Sequence, residues 1–227
     1  SWHKSKQGTP NMGGLMFIIG IIVAFVIGAL TFTLSGGKLE SDYASVLVGR
    51  DKVLIIAGLC LAFGCGVIGF TDDFIKIKLK RNEGLTAKQK SFGQLVMAIG
   101  YTATLWLSHN TVWYLPFIGN VNFEKNIVTG VVFWLVSIFI IVGCVNSVNL
   151  TDGIDGLCSS VTVTVAVTFI IASVMLKFAG LGILSAALLG GVLGFLCWNW
   201  NPAKTFMGDT GSIFLGGLVT ALGFAIK

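Results

Sequence analysis

The chain has 227 residues, of which 55% are hydrophobic and only 11% are charged, and its formal net charge is +5. Soluble domains carry about 25% charged residues, so this composition excludes an ordinary soluble domain and indicates an integral membrane protein. The residue alternation of a transmembrane β-barrel is absent, and no nucleic-acid partner is expected.

Seven apolar runs are long enough to cross a bilayer as helices, since a core of roughly 30 Å needs about 20 residues. In chain order they cover about 12–34, 52–71, 91–108, 127–146, 158–176, 181–199 and 211–227. Backbone in lipid must satisfy its own hydrogen bonds, which requires helices here. We therefore predict an all-α, polytopic transmembrane helical bundle that forms one integral domain over 1–227. The polar start, SWHKSKQ, and the stop at FAIK predict further spans at one or both ends.

The loops between these runs fall on two sides of the membrane. If the runs alternate in direction, one side receives 1–11, 72–90, 147–157 and 200–210. This side holds the densest group of lysines and arginines, within 76–90, so the positive-inside rule predicts that it is cytoplasmic. All four loops carry unusual polar segments, although they lie far apart in sequence. We therefore expect them to build one shared cytoplasmic site.

Acidic residues are concentrated in three of these loops. Asp72 and Asp73 follow an apolar run, where two carboxylates near the negative end of a helix dipole repel each other. They indicate either a solvated helix end or a site neutralised by a metal ion, a proton or nearby lysines. Asp152 and Asp155 would share one side of a helical turn with Asn149, although Asp155 is also well placed as a helix N-cap. Asp209 precedes the last run and is open to the same N-cap interpretation.

The lysines in the second loop allow two interpretations as well. A cationic run beside a membrane is usually a solvated face attracted to anionic lipid, and this fits Lys76, Lys78, Lys80 and Arg81. Lys88 lies in a more polar stretch and could point into a pocket. Carboxylates hold Mg²⁺, Mg²⁺ bridges phosphate oxygens, and lysines neutralise further phosphate charge. The combination favours phosphoryl transfer between a soluble substrate and a lipid.

Five motifs, in this order along the chain, resemble those of a known enzyme family. They are GTPNMGG at 8–14, GFTDDF at 69–74, GLTAKQK at 84–90, NLTDGIDGL at 149–157 and NPAKTFMGDTGS at 201–212. They resemble the phospho-N-acetylmuramoyl-pentapeptide transferases, within the polyprenyl-phosphate N-acetylhexosamine-1-phosphate transferase superfamily. The resemblance implies a ten-span protein that transfers phospho-MurNAc-pentapeptide from UDP-MurNAc-pentapeptide to undecaprenyl phosphate, giving lipid I and UMP. It also implies a requirement for Mg²⁺, surrounding membrane lipid and a homodimer.

The resemblance carries over to individual residues. It makes Asp72 and Asp73 the catalytic carboxylate pair, with Asp72 as the base for the lipid phosphate, by direct attack or through a covalent aspartyl intermediate. It makes Asp209 the Mg²⁺ ligand and Lys88 a lysine of the catalytic centre. It matches four residues to the uridine pocket, where Phe206 would stack on the base: Lys6, Gly153, Asp155 and Phe206. It matches Asn149, Asp152 and Asn199 to polar positions that line the cleft.

The chain departs from that family in one respect, because nothing in it matches the family's histidine-rich cytoplasmic loop. Two other functions stay open from the sequence. One is a sibling enzyme that transfers GlcNAc-1-phosphate, against which GTPNMGG and GLTAKQK argue. The other is a transporter or channel, because intramembrane carboxylates often mark such pathways. Clustering of the acids at span ends on one face suits a surface reaction better.

Overall fold

The computed structural model describes residues 9–40, 50–81, 83–115, 117 and 119–226. These residues form seven helices and one short antiparallel hairpin. The helices are α1 (Gly14–Leu34), α2 (Arg50–Leu79), α3 (Ala87–Leu107), α4 (Ile127–Thr151), α5 (Leu157–Met175), α6 (Ala179–Asn199) and α7 (Gly208–Ala225), and β1 (Val112–Leu115) pairs with β2 (Gly119–Asn122) between α3 and α4. The predicted all-α bundle is confirmed, and the hairpin is an addition to it.

Six of the helices in the described residues are long and apolar enough to span a membrane, and α3 is the exception. It has 21 residues, but its inward face carries the polar side chains of Gln94, Tyr101 and Thr102, which are buried against the bundle. These side chains lower the hydropathy of a helix that packs between α2 and α4. The chain is thus a multi-pass membrane protein in which α3 is the most polar of the long helices.

Helix α7 lies at the centre of the bundle, where it packs against α2, α4 and α1. Most of its side chains are buried, which is unusual for a span that faces lipid. Glycines permit the close packing: a Cβ at Gly69 of α2 would lie 2.2 Å from the carbonyl oxygen of Asp209, and one at Gly216 would lie 2.7 Å from Cα of Val145. Small residues let helix backbones approach in this way. The approach of α2 to α7 brings their acidic residues together.

The four loops that the sequence places on one side do meet at one end of the bundle. The 9–14 segment pairs with 205–207 through backbone hydrogen bonds, including Gly13 N to Phe206 O at 2.9 Å. The 72–90 and 147–157 segments both contact Asp209. The expectation that these distant loops come together is therefore confirmed for the described residues, and their role as one functional site stays a prediction.

Candidate active site

Three carboxylates meet where α2 and α7 converge. One oxygen from each of Asp72, Asp73 and Asp209 lies within 4.8 Å of the others. Asp72 and Asp73 are each only 1% exposed, because α2 continues to Leu79 and holds the pair inside the bundle. The interpretation of Asp72 and Asp73 as a solvated helix end is therefore wrong. Two buried acids and a third, partly buried acid this close together need a cationic partner.

Two lysines supply positive charge to this triad. Lys76 lies one turn after Asp72 on α2 and forms an ion pair with its Oδ2, and its Nζ is 2.8 Å from Oδ2 of Asp209. Lys90, near the start of α3, places Nζ 2.9 Å from the same oxygen of Asp209 and 3.8 Å from Oδ1 of Asp72. The assignment of Lys76 to a solvated, lipid-attracted face is therefore wrong. Lys88 is exposed, and its catalytic role stays a prediction.

The GLTAKQK segment folds directly onto Asp72. The backbone N–H of Leu85 donates to Oδ1 of Asp72 at 2.8 Å, and a Cβ at Gly84 would lie 2.5 Å from that oxygen. Thr86 then begins α3 with a capping box completed by Gln89, a signature that fixes a helix start. Because the start of α3 is fixed beside Asp72, Lys90 one turn later reaches the triad.

Asn149 links α4 to the same site. Its Nδ2 donates to Oδ1 of Asp209 and to Oγ of Ser212, both at 2.8 Å. The predicted position of Asn149 in the polar cleft is consistent with these contacts. Together with the two lysines on Oδ2, they fix the orientation of the Asp209 carboxylate.

Asp152 and Asp155 lie beside the triad rather than within it. Asp152 is the C-cap of α4, and burial, followed by the charges of Asp209, Asp73 and Asp155, raises its pKa to about 7. Asp155 accepts a hydrogen bond from the backbone of Ala203 at 3.2 Å. The N-cap of α5 is Gly156, so the N-cap interpretation of Asp155 is wrong. Gly153 is exposed in the turn between α4 and α5.

Asn199 ends α6 and is 2% exposed. Its Oδ1 accepts from Gly156 N and from Ser159 Oγ, both at 3.1 Å, and its Nδ2 donates to Thr205 O at 3.1 Å. The side chain therefore joins the ends of α5 and α6 to the loop before α7. Phe206 is half-buried in that loop. Lys6, predicted for the uridine pocket, lies outside the described residues.

The donor set fits a hard divalent cation. Mg²⁺ prefers oxygen ligands and commonly takes one or two carboxylates together with substrate phosphates. Asp209 is the least buried of the triad, with 18% of its side chain exposed against 1–2% for the other two. It therefore has the most accessible carboxylate of the three for a cation.

Sequence comparisons show which known proteins this chain resembles. The chain is 43% identical over 221 residues to the phospho-N-acetylmuramoyl-pentapeptide-transferase of Desulforamulus reducens. The aligned region covers 96% of this chain and 60% of the length of that enzyme. The enzymes of the same name from Carboxydothermus hydrogenoformans and Bacillus mycoides are 41% and 39% identical, each over 99% of this chain and 63% of its own length.

The chain thus spans about three fifths of the length of these curated relatives, and the family resemblance of the five motifs is confirmed. Residues 54–227 match the sequence profile of glycosyl transferase family 4. Because this match extends over more than half of the chain, the chain belongs to glycosyl transferase family 4.

Proposed function

We propose that the chain transfers phospho-MurNAc-pentapeptide from UDP-MurNAc-pentapeptide to undecaprenyl phosphate, in an Mg²⁺-dependent reaction that yields lipid I and UMP for peptidoglycan synthesis. The names of its relatives support this choice of substrates over a GlcNAc-1-phosphate donor. The observation that carries the proposal is the cluster of three carboxylates, two of them buried, with two lysines at one end of a membrane bundle. Such a cluster suits a reaction between a soluble nucleotide and a phosphate at the lipid headgroup level.

The proposed chemistry forms one phosphorus–oxygen bond and breaks another. A phosphate oxygen of the lipid attacks the β-phosphorus of the UDP-sugar, and the bond from that phosphorus to the bridging oxygen of UMP breaks. Asp72 is the candidate base that takes the proton of the lipid phosphate, because its carboxylate is held in place by Leu85 N and Lys76. The same carboxylate is also positioned to act as the nucleophile of a covalent aspartyl route.

Stabilisation of phosphate charge is the main task of the remaining residues, because positioning and electrostatics dominate phosphoryl transfer. Asp209 would hold Mg²⁺, with Asp72 nearby, and the bound ion would neutralise charge that develops on the phosphate oxygens. Lys76 and Lys90, whose ammonium groups lie at the same carboxylate, would supply further positive charge to those oxygens. Lys88 is proposed as a further lysine at the entrance, on the strength of the resemblance.

The nucleotide would lie over the turn before α5 and the loop before α7. Asp155 and Gly153 are proposed to contact the uridine, and Phe206 is proposed to stack on its base. The backbone link from Ala203 to Asp155 supports a common pocket for these residues. Lys6 and Asp152 are assigned to the same region by resemblance. Asn199 would hold the walls of this pocket in place, because its side chain binds Gly156 and Ser159 on one side and Thr205 on the other.

The site is proposed to face the cytoplasm, since the 76–90 segment carries the densest positive charge of the loops. Single cysteines placed in 149–157 and 200–208 of a cysteine-free variant should share one labelling pattern with cysteines in 83–88. Cysteines in 119–125 should show the opposite pattern. A homodimer remains part of the proposal and is tested by the mass of the detergent-solubilised protein.

The decisive experiment is UMP release in detergent from UDP-MurNAc-pentapeptide and undecaprenyl phosphate, with and without Mg²⁺. Asp209→Asn should lower turnover by roughly 100-fold or more, since it removes charge stabilisation from the reacting phosphates. Glu83→Gln is the matched control, because Glu83 is an exposed acid at the same end of the bundle. Normal turnover by Asp209→Asn at equal Mg²⁺, or equal turnover without any divalent cation, would reject the proposal.

A further inference from the structure

The start of α7 is capped by a residue of another helix. The first N–H groups of a helix have no partner within it, and Met207, at the N-cap of α7, has no side-chain oxygen to offer them. Asp73 of α2 takes this place: it accepts from the backbone N–H of Asp209 at 3.3 Å and of Thr210 at 2.9 Å. These are the second and third residues of α7, the same positions that an ordinary N-cap side chain satisfies.

The two adjacent acids of α2 are therefore used differently. Oδ2 of Asp73 accepts two hydrogen bonds from Thr210, from the backbone N–H and from Oγ1 at 2.7 Å. Asp72 instead faces Leu85 and Lys76, on the side of the helix from which α3 begins. The neighbouring carboxylates are about 100° apart around the helix axis. Asp72 pairs closely with Lys76, whereas Asp73 is hydrogen-bonded to the backbone of α7 and keeps a longer contact, 3.9 Å from its Oδ1 to Nζ of Lys76.

Two glycines at the contact between α2 and α7 leave room for the Asp73 carboxylate. Gly208 has φ +70°, a conformation that favours glycine, and a Cβ there would lie 2.5 Å from Oδ2 of Asp73. Gly69, one turn before Asp73, allows the carbonyl of Asp209 to come against α2. A side chain at either glycine would push Asp73 away from the helix start.

We propose that Asp73 is a positioning residue that acts through Asp209, holding the first turn of α7 so that the Asp209 carboxylate points at Lys76, Lys90 and Asn149. Its role in the reaction is then indirect, in contrast to that of Asp72. This inference rests on the proposed function where it takes Asp209 as the Mg²⁺ ligand. The capping itself depends only on contacts among the described residues.

Hydrogen–deuterium exchange tests the cap without any metal. In the metal-free protein in detergent, Asp73→Ala should speed exchange at the amides of Asp209 and Thr210 about tenfold or more, as expected for loss of hydrogen bonds to a charged group. Peptides from the middle of α7 should exchange as in the wild type. Unchanged exchange at the start of α7 would overturn the inference. If Asp73→Ala does not fold, Thr210→Val, which removes only the Oγ1 hydrogen bond to Asp73, should speed exchange at the same two amides by a smaller factor, and unchanged exchange in this variant would likewise overturn the inference.

Metal binding tests the link to Asp209, with Mn²⁺ as the probe and the electron paramagnetic resonance signal of free Mn²⁺ as the readout. Thr210→Val should weaken Mn²⁺ binding about tenfold, because groups that orient a metal ligand typically contribute 10- to 100-fold in affinity. Thr210→Ser should restore it. Thr220→Val is the matched control, since Thr220 is a buried threonine of the same helix whose hydroxyl donates to Gly216 O. Wild-type affinity in Thr210→Val would overturn the inference.

Asp73→Asn separates positioning from direct ligation. Asparagine keeps an acceptor for Thr210, so its Mn²⁺ affinity should lie between those of the wild type and Asp73→Ala. An affinity as low as that of Asp73→Ala, with wild-type exchange at the start of α7, would mean that Asp73 binds the metal itself and would overturn the inference. Wild-type protein that binds no Mn²⁺ would reject the proposed metal role, whereas faster exchange in Asp73→Ala would still uphold the cap.

Discussion

Lys90 and Lys76, from two different helices, both direct their ammonium groups at Oδ2 of Asp209, at 2.9 and 2.8 Å. Like charges so close together are tolerated because three carboxylates surround them. A divalent cation bound at Asp209 would have to compete with both lysines for the same oxygen. If the triad holds Mg²⁺ as proposed, the two lysines would lower its affinity for the ion.

Lys90→Gln should increase the thermal stabilisation that Mg²⁺ gives to the protein. With one competing ammonium removed, Mg²⁺ should bind more tightly, and the stabilisation of the folded state by a ligand grows with the logarithm of its affinity. About 1 kcal/mol of added stabilisation would raise the Mg²⁺-induced shift of the melting temperature by about 2–4 °C. The measurement is thermal unfolding in one detergent with and without Mg²⁺.

Lys88→Gln is the matched control for this variant, because Lys88 lies two residues earlier in the same turn but is exposed. Its Mg²⁺-induced shift should equal that of the wild type. If Lys88→Gln changes the shift and Lys90→Gln does not, the prediction is wrong. Lys88, the lysine that the family resemblance assigns, then acts at the carboxylates.

Asp152 should make the protein less stable as the pH rises. Its pKa is raised to about 7 in the folded state, above the ordinary value of an unfolded aspartate, so the folded state binds its proton more tightly. This contribution to stability is fully present below about pH 4 and is lost as the pH rises through 7. The melting temperature of the metal-free wild type should therefore fall between pH 5 and pH 8 relative to that of Asp152→Asn. A constant difference between the two proteins over this range would contradict the prediction.

Phe206→Ala should weaken UMP binding by about 5- to 150-fold, since stacking on a base is worth roughly 1–3 kcal/mol. Calorimetry with UMP measures this, beside thermal unfolding in the same detergent. Phe117→Ala is the control, because Phe117 is fully exposed in the turn of the hairpin and its loss should change neither quantity. Unchanged UMP affinity with a lowered melting temperature would instead mean that Phe206 anchors its loop in the bilayer interface.

Asn199→Ala should destabilise the protein by about 2–5 kcal/mol, because it leaves Gly156 N, Ser159 Oγ and Thr205 O without the side chain that they share. Thermal unfolding measures the loss, with Asn120→Ala on the exposed side of the hairpin as the control. A variant of normal stability that binds the UDP-sugar weakly would instead support the direct cleft role that the resemblance gives to Asn199.

Much of the bundle could be predicted from the sequence, because apolar length alone locates helices in lipid. The run 12–34 corresponds to α1 and 127–146 to most of α4. The end of α2 was harder, since hydropathy falls at Asp72 although the backbone stays helical for seven more residues. The hairpin, where Trp113 packs on Phe123 and Phe133, was not predicted because four-residue strands leave little periodicity to detect.

The three aspartates of the site were identified from the sequence, but its two lysines were not. The spacing of Asp72 and Lys76 on one helix face was a local signal that could have placed Lys76 at the triad. No local signal distinguishes Lys90 from Lys88, because their contacts depend on how α3 packs beside residues more than 100 positions away. The division of labour between Asp72 and Asp73 has the same origin. It depends on which neighbouring helix lies on each side of α2.

The backbone pairing of the 9–14 segment with the loop before α7 has a consequence for exchanging parts between relatives. Phe206 N donates to Pro10 O at 3.0 Å, Gly13 N to Phe206 O at 2.9 Å and Gly14 N to Met207 O at 3.1 Å. These segments are almost two hundred residues apart in sequence, yet their backbones are joined directly by these three hydrogen bonds. A chimera that takes one segment from a relative must take the other as well, so we expect the two to be inherited as a pair.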